Sequence, residues 1–192
     1  MIDKIKKSIS QSIETKALIL KDEALLATIQ EVCDLCVLAY AKGKKILVAG
    51  NGGSAADAQH IVAELVARFY MERPALSAIA LTTDSSILTA IGNDYGYEQL
   101  FSRQIEANAN QGDVFIAIST SGSSANIVHA IKAAKAKGVH VVGLTGNKQG
   151  KMDALCERII KVPSLHTPRI QEAHILIGHI LCERIECEMF GQ

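Results

Sequence analysis

His60 and Glu64, four positions apart, are the residues of this chain whose types and spacing first suggest chemistry. On an α-helix this spacing places both side chains on one face, with their Cβ atoms about 6 Å apart. An imidazole and a carboxylate in that arrangement can bind one divalent metal ion. The same spacing also fits an ordinary polar pair on a solvated helix face, so both interpretations stay open at this point.

A glycine-rich segment, residues 50–54 (Gly-Asn-Gly-Gly-Ser), stands just before the helix that is predicted to carry this pair. Because glycine has no side chain, the backbone can pass close to a ligand there, and the first amides of the following helix are unpaired. A dinucleotide-binding fingerprint would need an acidic residue about 20 positions later, but Asp84 comes well beyond that distance. The segment therefore favours a phosphate loop, and a tight turn without a ligand is the alternative.

A second loop, residues 119–124 (Ser-Thr-Ser-Gly-Ser-Ser), carries five hydroxyl groups in six positions between a predicted strand and a predicted helix. Hydroxyls and unpaired amides at a helix start suit the several oxygens of a phosphate monoester. Serine is also a good helix cap, but capping needs only one or two such residues. The loop therefore predicts phosphate binding.

The last predicted helix carries three further polar candidates, Gln171, His174 and His179. Eight residues of helix span about 12 Å, so Gln171 and His179 can share one metal ion only through extended side chains. Either a neighbouring subunit supplies one ligand, or His174 substitutes for one of the two. Arg68, one turn beyond Glu64 on its predicted helix, can face the same cleft as a partner for phosphate or for a carboxylate.

Alternating strands and helices must position these residues, which predicts an α/β protein with a parallel sheet between two layers of helices. We predict a single domain over residues 1–192, in which residues 1–42 form two leading helices that pack in an oligomer. The predicted strands are 45–49, 76–81, 114–118, 139–144 and 158–162, and the later helices are 54–68, 85–91, 97–108, 125–137, 151–155 and a long carboxy-terminal one over 169–189.

The composition of the chain limits which binding partners and which cell compartment are expected. Twenty basic and twenty acidic residues balance, so net charge gives no attraction to nucleic acid or to an anionic membrane. No signal-peptide pattern or apolar run of about 20 residues is present, and five cysteines without a paired framework favour reduced thiols in the cytoplasm. Cys33 and Cys36 form a C-x-x-C pattern inside a helical repeat, which favours core packing over redox or zinc chemistry.

The chain resembles a known family over essentially its whole length, and the resemblance rests on four motifs in the same order. They are Gly50–Ala55 with Asp57, His60 and Glu64, then Ile91–Gly96, Ser119–Gly122 and Arg169–Glu172. In this order they are similar to the phosphoheptose isomerases, which have the sugar isomerase (SIS) fold. One position departs from some members, because Pro168 stands where they have an acidic residue.

The resemblance implies an aldose–ketose isomerase that converts sedoheptulose 7-phosphate to D-glycero-D-manno-heptose 7-phosphate, the first step toward bacterial surface heptose. It further implies a cytoplasmic homotetramer with active sites between subunits and one divalent ion, Zn²⁺, per subunit. The residues that match the metal site are His60, Glu64, Gln171 and His179, of which Glu64 also matches the general base and His179 the acid. The expected substrate-binding residues are Asn51, Gly52, Gly53, Ser54, Arg68, Asn93, Asp94, Ser119, Thr120, Ser121, Ser124 and Gln171.

Two other functions share this fold. One is a non-catalytic SIS regulator that binds the bacterial replication initiator, and the other is an isomerase or binding module for another sugar phosphate, such as a hexosamine. The presence of all four residues that match the metal site favours the enzyme over the regulator. The long leading helices and the single SIS unit argue against the larger aminosugar enzymes.

Overall fold

A computed structural model describes residues 1–191, which form seven α-helices and a five-stranded sheet. The helices are α1 (Ile2–Lys21), α2 (Glu23–Ala41), α3 (Gly53–Val66), α4 (Ser85–Asp94), α5 (Ser102–Asn108), α6 (Ala125–Ala136) and α7 (Thr167–Phe190). The strands are β1 (Ile46–Ala49), β2 (Ala78–Ala80), β3 (Val114–Ile118), β4 (His140–Gly146) and β5 (Arg158–Val162). Short 3₁₀ turns occupy Tyr97–Gln99 and Lys151–Ala154.

The sheet is parallel throughout, with the strand order β2-β1-β3-β4-β5. Chain order reverses at β1 and β3, which are neighbours although β2 lies between them in sequence. In open α/β sheets ligands bind beyond the carboxyl ends of the strands at such a reversal. The glycine loop (residues 50–54) follows β1 and the hydroxyl loop (residues 119–124) follows β3, so the fold places both loops at this reversal.

Two apolar cores lie on opposite faces of the sheet, because successive strand side chains point to opposite sides. In β1, Ile46 and Val48 pack in the core that also holds buried residues of α2, α3 and α7. Leu47 and Ala49 pack on the other face with buried residues of α5 and α6. The three-layer α/β fold, with two leading helices and a long carboxy-terminal helix, is confirmed.

Three predicted boundaries were wrong, and each has a local cause. The helix predicted to reach Arg68 ends at Val66, where the guanidinium of Arg73 takes the carbonyl of Leu65 at 2.7 Å. The predicted helix over residues 97–108 is divided into a 3₁₀ turn at Tyr97–Gln99 and α5, and the Ser102 hydroxyl bonds Gln99 across the junction. The strand predicted over residues 76–81 shortens to the three residues of β2, at one edge of the sheet.

Among residues 1–191, α2 alone is long and apolar enough to cross a membrane by length and composition. Such a composition is also expected of a helix that packs in a protein core. Seven α2 residues are buried, including both Cys33 and Cys36, and these two cysteines are free thiols. Burial raises the pKa of the Cys33 thiol to about 11, so the C-x-x-C pattern holds core residues rather than reactive thiolates.

Candidate active site

Three side chains from two helices converge at one point, namely His60 and Glu64 from α3 and His179 from α7. The Nε2 atoms of His60 and His179 lie 2.9 Å apart, and His60 Nε2 lies 3.4 Å from Glu64 Oε1. The potential ligand atoms of all three residues lie within 4.8 Å of one another. Side-chain exposures of 47% for His60 and 24% for Glu64 leave the group open to solvent, so a ligand can reach it.

The close approach of α3 and α7 depends on Gly178, immediately before His179. A Cβ at position 178 would come within 2.8 Å of the Ile61 side chain, closer than real side chains approach. Glycine therefore lets the two helices meet where His60 and Glu64 face His179. A Cys182 thiol that points at the Ile61 carbonyl at 3.8 Å continues the same contact one turn later.

The His60, Glu64 and His179 group fits a divalent metal ion. Two imidazole nitrogens and one carboxylate oxygen are a common zinc ligand set, and bonds of about 2.0–2.1 Å in tetrahedral geometry put ligand atoms roughly 3.3 Å apart. The observed separations of 2.9 and 3.4 Å bracket that value. The donor chemistry and two of the three separations thus suit a divalent ion such as zinc, and all three ligand atoms lie within 4.8 Å of one another.

A buried ion pair fixes the end of α3 against α7 beside this group. Glu186 on α7 accepts hydrogen bonds from the backbone amides of Phe69, Tyr70 and Met71 and from Arg73 Nε at 3.0 Å. Both charged side chains are almost fully buried. Burial by itself would raise the pKa of Glu186, but the four hydrogen bonds outweigh it and hold that pKa below its usual range.

The segment held by Glu186 brings an aromatic ring to the cluster formed by His60, Glu64 and His179. The ring of Phe69 lies 5.8 Å, centroid to centroid, from the imidazole of His179. The Arg73 guanidinium also donates a hydrogen bond to the Glu64 backbone carbonyl at 2.8 Å. The Arg73–Glu186 ion pair therefore contacts both α3 and α7. We infer that this pair keeps the three cluster residues in register.

Gln171 lies at the opposite end of the α3–α7 contact from His179. Its side chain covers Gly53, where a Cβ would come within 2.5 Å of Gln171 Nε2. The two helices therefore run in the same direction, with Gln171 beside the start of α3 and His179 beside His60. Gln171 thus lies beside the glycine loop, the position of a predicted substrate contact, whereas the group of His60, Glu64 and His179 lies further along α7.

His174, the predicted alternative ligand, does not join the cluster in the described chain. It is fully buried within α7, and neither ring nitrogen has a hydrogen-bond partner among residues 1–191. Burial lowers the pKa of His174 to about 4, against a weaker opposing effect of the Thr145 backbone. The imidazole is therefore neutral, and His179 is the histidine of α7 that meets α3.

The hydroxyl loop is folded on itself at the start of α6. The Ser119 hydroxyl lies 2.9 Å from that of Ser124 and 3.4 Å from that of Ser121. Thr120 and Ser121 line a cavity of about 260 Å³, with Lys148 and the start of α7 on its other side. Hydroxyl donors, helix amides and one lysine around such a cavity suit an anion. Of these, Lys148 was missed from the sequence, because it stands in a loop without a motif.

Asn51, in the glycine loop, is linked to α6 by a second residue that the sequence did not reveal. The carboxamides of Asn51 and Asn126 exchange two hydrogen bonds, at 2.9 and 2.8 Å. The Tyr97 hydroxyl donates a third bond to Asn51 Oδ1 at 3.0 Å. The glycine loop and the hydroxyl loop are thereby tied together, since Asn126 comes two residues after Ser124.

The other predicted substrate residues are placed as follows. Ser54 is buried in the first turn of α3, whereas Gly52 and Gly53 are exposed beside it. Asn93 and Asp94 are exposed and bond each other at 2.8 Å, and Asp94 lines a separate cavity of about 200 Å³. Arg68 pairs with Glu72 on the surface at 3.1 Å rather than with Glu64.

Two of the missed residues carried a readable signal. Glu186 is four residues beyond Cys182 on the apolar face of α7, and an acid on such a face needs a buried partner. Asn126 follows the hydroxyl loop inside the first turn of a helix, where asparagine commonly bonds backbone amides. In contrast, Phe69 and Tyr97 stand in irregular segments, and only tertiary structure places them at the site.

Comparisons with known proteins identify the family of this chain. Residues 4–146 match the SIS domain family. A phosphoheptose isomerase of Aneurinibacillus thermoaerophilus is 60% identical over 190 residues, 99% of this chain and 96% of that relative. The structure of a Francisella tularensis phosphoheptose isomerase superposes with a TM-score of 0.92 at 38% identity, covering 96% and 97% of the two chains. One from Neisseria gonorrhoeae gives 0.90 at 42% identity, with the same coverage. The chain therefore belongs to the SIS domain family, among its phosphoheptose isomerases.

Proposed function

We propose that this chain is an aldose–ketose isomerase that converts sedoheptulose 7-phosphate to D-glycero-D-manno-heptose 7-phosphate through an enediol. The observation that carries the proposal is the convergence of His60, Glu64 and His179 within 4.8 Å, in a chain that also has a hydroxyl-lined loop after β3. An acid–base group and an anion-binding loop are what a sugar-phosphate isomerase needs.

The proton transfer is assigned to Glu64 and His179. In the conversion of the ketose to the aldose, Glu64 removes a proton from C1 and then delivers a proton to C2. His179 moves a second proton between the two oxygens. A carboxylate has two oxygens, so Glu64 Oε1 can face His60 while Oε2 takes the substrate proton. The Phe69 ring packs beside the His179 imidazole, and in the proposal this contact limits the rotation of the imidazole.

The metal site is assigned to His60, Glu64 and His179, with Gln171 as a further ligand. A divalent ion held there, zinc in our proposal, would supply polarisation of the carbonyl and stabilisation of the negative charge that develops on the substrate oxygens. The Gln171 carboxamide lies against Gly53 at the start of α3, and the proposal assigns it to the ion and to the substrate oxygens. The neighbouring loop residues Asn51, Gly52, Gly53 and Ser54 complete the sugar end of the site.

The phosphate end is assigned to the hydroxyl loop. Its Ser119, Thr120, Ser121 and Ser124 hydroxyls and the first amides of α6 bind the phosphate, which holds the reacting carbons in place near Glu64. Asn93, Asp94 and Arg68 are exposed and lie on the outside of one subunit. In the proposal they complete the substrate site, and which subunit's substrate they contact is left open.

A homotetramer with active sites between subunits is part of the proposal. Helix α1 leaves a row of isoleucines exposed at helical spacing, namely Ile2, Ile5, Ile9 and Ile13. A contiguous apolar row of this kind marks a protein–protein contact. Residues 1–42 then pack in the oligomer as a helical extension of one domain over residues 1–192. The proposed place of the enzyme is the cytoplasm.

An isomerase assay on sedoheptulose 7-phosphate tests the proposal, with the purified chain assayed after zinc loading and after treatment with a chelator. We expect aldose formation that the chelator suppresses and zinc restores. Absence of turnover with zinc or any other divalent ion would remove the enzyme and favour the non-catalytic SIS regulator. Turnover of a hexosamine phosphate in preference to the heptose would point to the other sugar-phosphate alternative.

A further inference from the structure

The Asn51 carboxamide is held in one orientation by groups whose donor and acceptor roles are fixed. Asn126 Oδ1 accepts from the backbone amide of Ile127 at 2.9 Å, and a backbone amide is only a donor. The other atom of the Asn126 carboxamide is therefore the NH₂ group, which donates to Asn51 Oδ1 at 2.8 Å. If the Asn126 carboxamide were rotated by 180°, its NH₂ group would face the N–H of Ile127, and two donors would meet.

The same network uses up the acceptor capacity of Asn51. Its Oδ1 has two lone-pair sites, and these receive Asn126 Nδ2 and the Tyr97 hydroxyl at 3.0 Å. One N–H of Asn51 donates to Asn126 Oδ1 at 2.9 Å. Within residues 1–191, the second N–H is the only hydrogen-bonding capacity of this side chain that these contacts leave free.

We propose that Asn126 and Tyr97 are positioning residues that turn the Asn51 carboxamide so that it offers the substrate a single N–H donor and no acceptor. The inference rests on the proposed function, because it takes Asn51 as a substrate contact. A fixed donor suits an oxygen that carries or develops negative charge, and it needs no reorientation when that charge appears. Asn126 is 2% exposed and Asn51 is half-buried, whereas Tyr97 is exposed, so only the Asn126 side of the network lies away from solvent.

The network also explains why the two loops act as one unit. Asn51 leads into α3, which carries His60 and Glu64, and Asn126 lies in the first turn of α6, directly after the hydroxyl loop. A rotation of either carboxamide would break both bonds of the pair. The N–H offered to substrate is therefore set in a constant position relative to the phosphate-binding hydroxyls.

Asn126→Asp tests this with little change of shape. The carboxylate can still accept from Ile127 and from Asn51 Nδ2, but it cannot donate to Asn51 Oδ1, so the Asn51 carboxamide loses its preferred orientation. We expect kcat/KM for sedoheptulose 7-phosphate to fall about tenfold, mainly through KM, and Asn51→Ala to cause a similar loss. Tyr97→Phe removes one bond only and should cost about threefold.

The combined Asn51→Ala and Asn126→Asp variant distinguishes positioning from a general structural role. If Asn126 acts through Asn51, the double variant is no worse than Asn51→Ala alone, within about twofold. Multiplication of the two losses, to about a hundredfold, would overturn the proposal, and so would wild-type kinetics for Asn126→Asp. Asn108→Asp is the matched control, because Asn108 is an exposed residue of α5 that bonds only its own helix.

A readout without substrate separates this inference from the proposed function. In nitrogen-15 NMR spectra of the whole protein, the side-chain amide protons of Asn51 report its hydrogen bonds directly. We expect Tyr97→Phe and Asn126→Asp to shift them and Asn108→Asp to leave them in place. Unshifted Asn51 resonances would overturn the hydrogen-bond network even if the enzyme is active. Shifted resonances in a chain without isomerase activity would support the network and refute the proposed function.

Discussion

Glu186→Gln removes one charge from the buried pair with Arg73 and keeps nearly the same shape. The Arg73 side chain is 2% exposed and that of Glu186 is 1% exposed, so the variant leaves a guanidinium in the protein interior without its counter-ion. It also replaces one acceptor oxygen with an NH₂ group, against the amides of Phe69, Tyr70 and Met71. Breaking a buried pair in this way costs about 3–5 kcal/mol. We expect the free energy of unfolding in urea, measured at fixed protein concentration, to fall by that amount.

Glu188→Gln, on the same helix, is the matched control. Glu188 pairs with Arg184 on the surface, with side-chain exposures of 46% and 42%, and exposed pairs of this kind contribute about 0–1 kcal/mol. Because the Glu186 loop also holds Phe69 against His179, Glu186→Gln should additionally weaken zinc binding while Glu188→Gln does not. Equal stabilities of the two variants would refute the view that this ion pair holds α3 and α7 in register.

Three further predictions concern the cluster, the loop and the buried histidine. His60→Ala removes one of three converging ligands, so zinc affinity in a chelator competition should fall at least about tenfold. Unchanged affinity would contradict the assignment. Ser124→Ala removes the partner of Ser119 and should raise KM about fivefold with a smaller effect on kcat; a pure kcat effect would speak against phosphate binding. The pKa of His174 falls from 6.5 to about 4 on folding, so the unfolded chain binds this proton more tightly and stability declines as pH drops below 6.5. Between pH 7.5 and pH 5 the wild type should lose about 2 kcal/mol that His174→Leu does not lose, and parallel pH profiles of the two would contradict this.

The sequence predicted the layers of the fold because strand and helix periodicity record burial directly. A short apolar run such as residues 114–118, with predicted helices on both sides, is typical of a buried strand, and it forms β3. The chemistry-bearing residues were predicted by type, spacing and resemblance, and the structure brings His60, Glu64 and His179 together. Helix spacing alone left His174 and His179 open and only the resemblance favoured His179, since the choice depends on which face of α7 meets α3.

The missed parts of the site have a common physical reason. Asn126, Tyr97 and Glu186 act through contacts with residues far away in the chain, and periodicity carries no information about such partners. The end of α3 was misplaced for the same reason, because it is set by Arg73 rather than by a local stop signal. Local pattern predicts what is buried, whereas the partner of a buried polar group follows only from the tertiary arrangement.

Isomerisation in deuterium oxide tests the central claim most directly, because the proposed chemistry passes a proton through Glu64. Starting from sedoheptulose 7-phosphate, the wild-type enzyme should form aldose with deuterium at C2, and Glu64→Gln should still bind the sugar phosphate but form no labelled product. Aldose formed by the wild type without deuterium would contradict the expected exchange of the Glu64-bound proton with solvent. Labelled product from Glu64→Gln at the wild-type rate would equally contradict the account, because the base would then lie elsewhere.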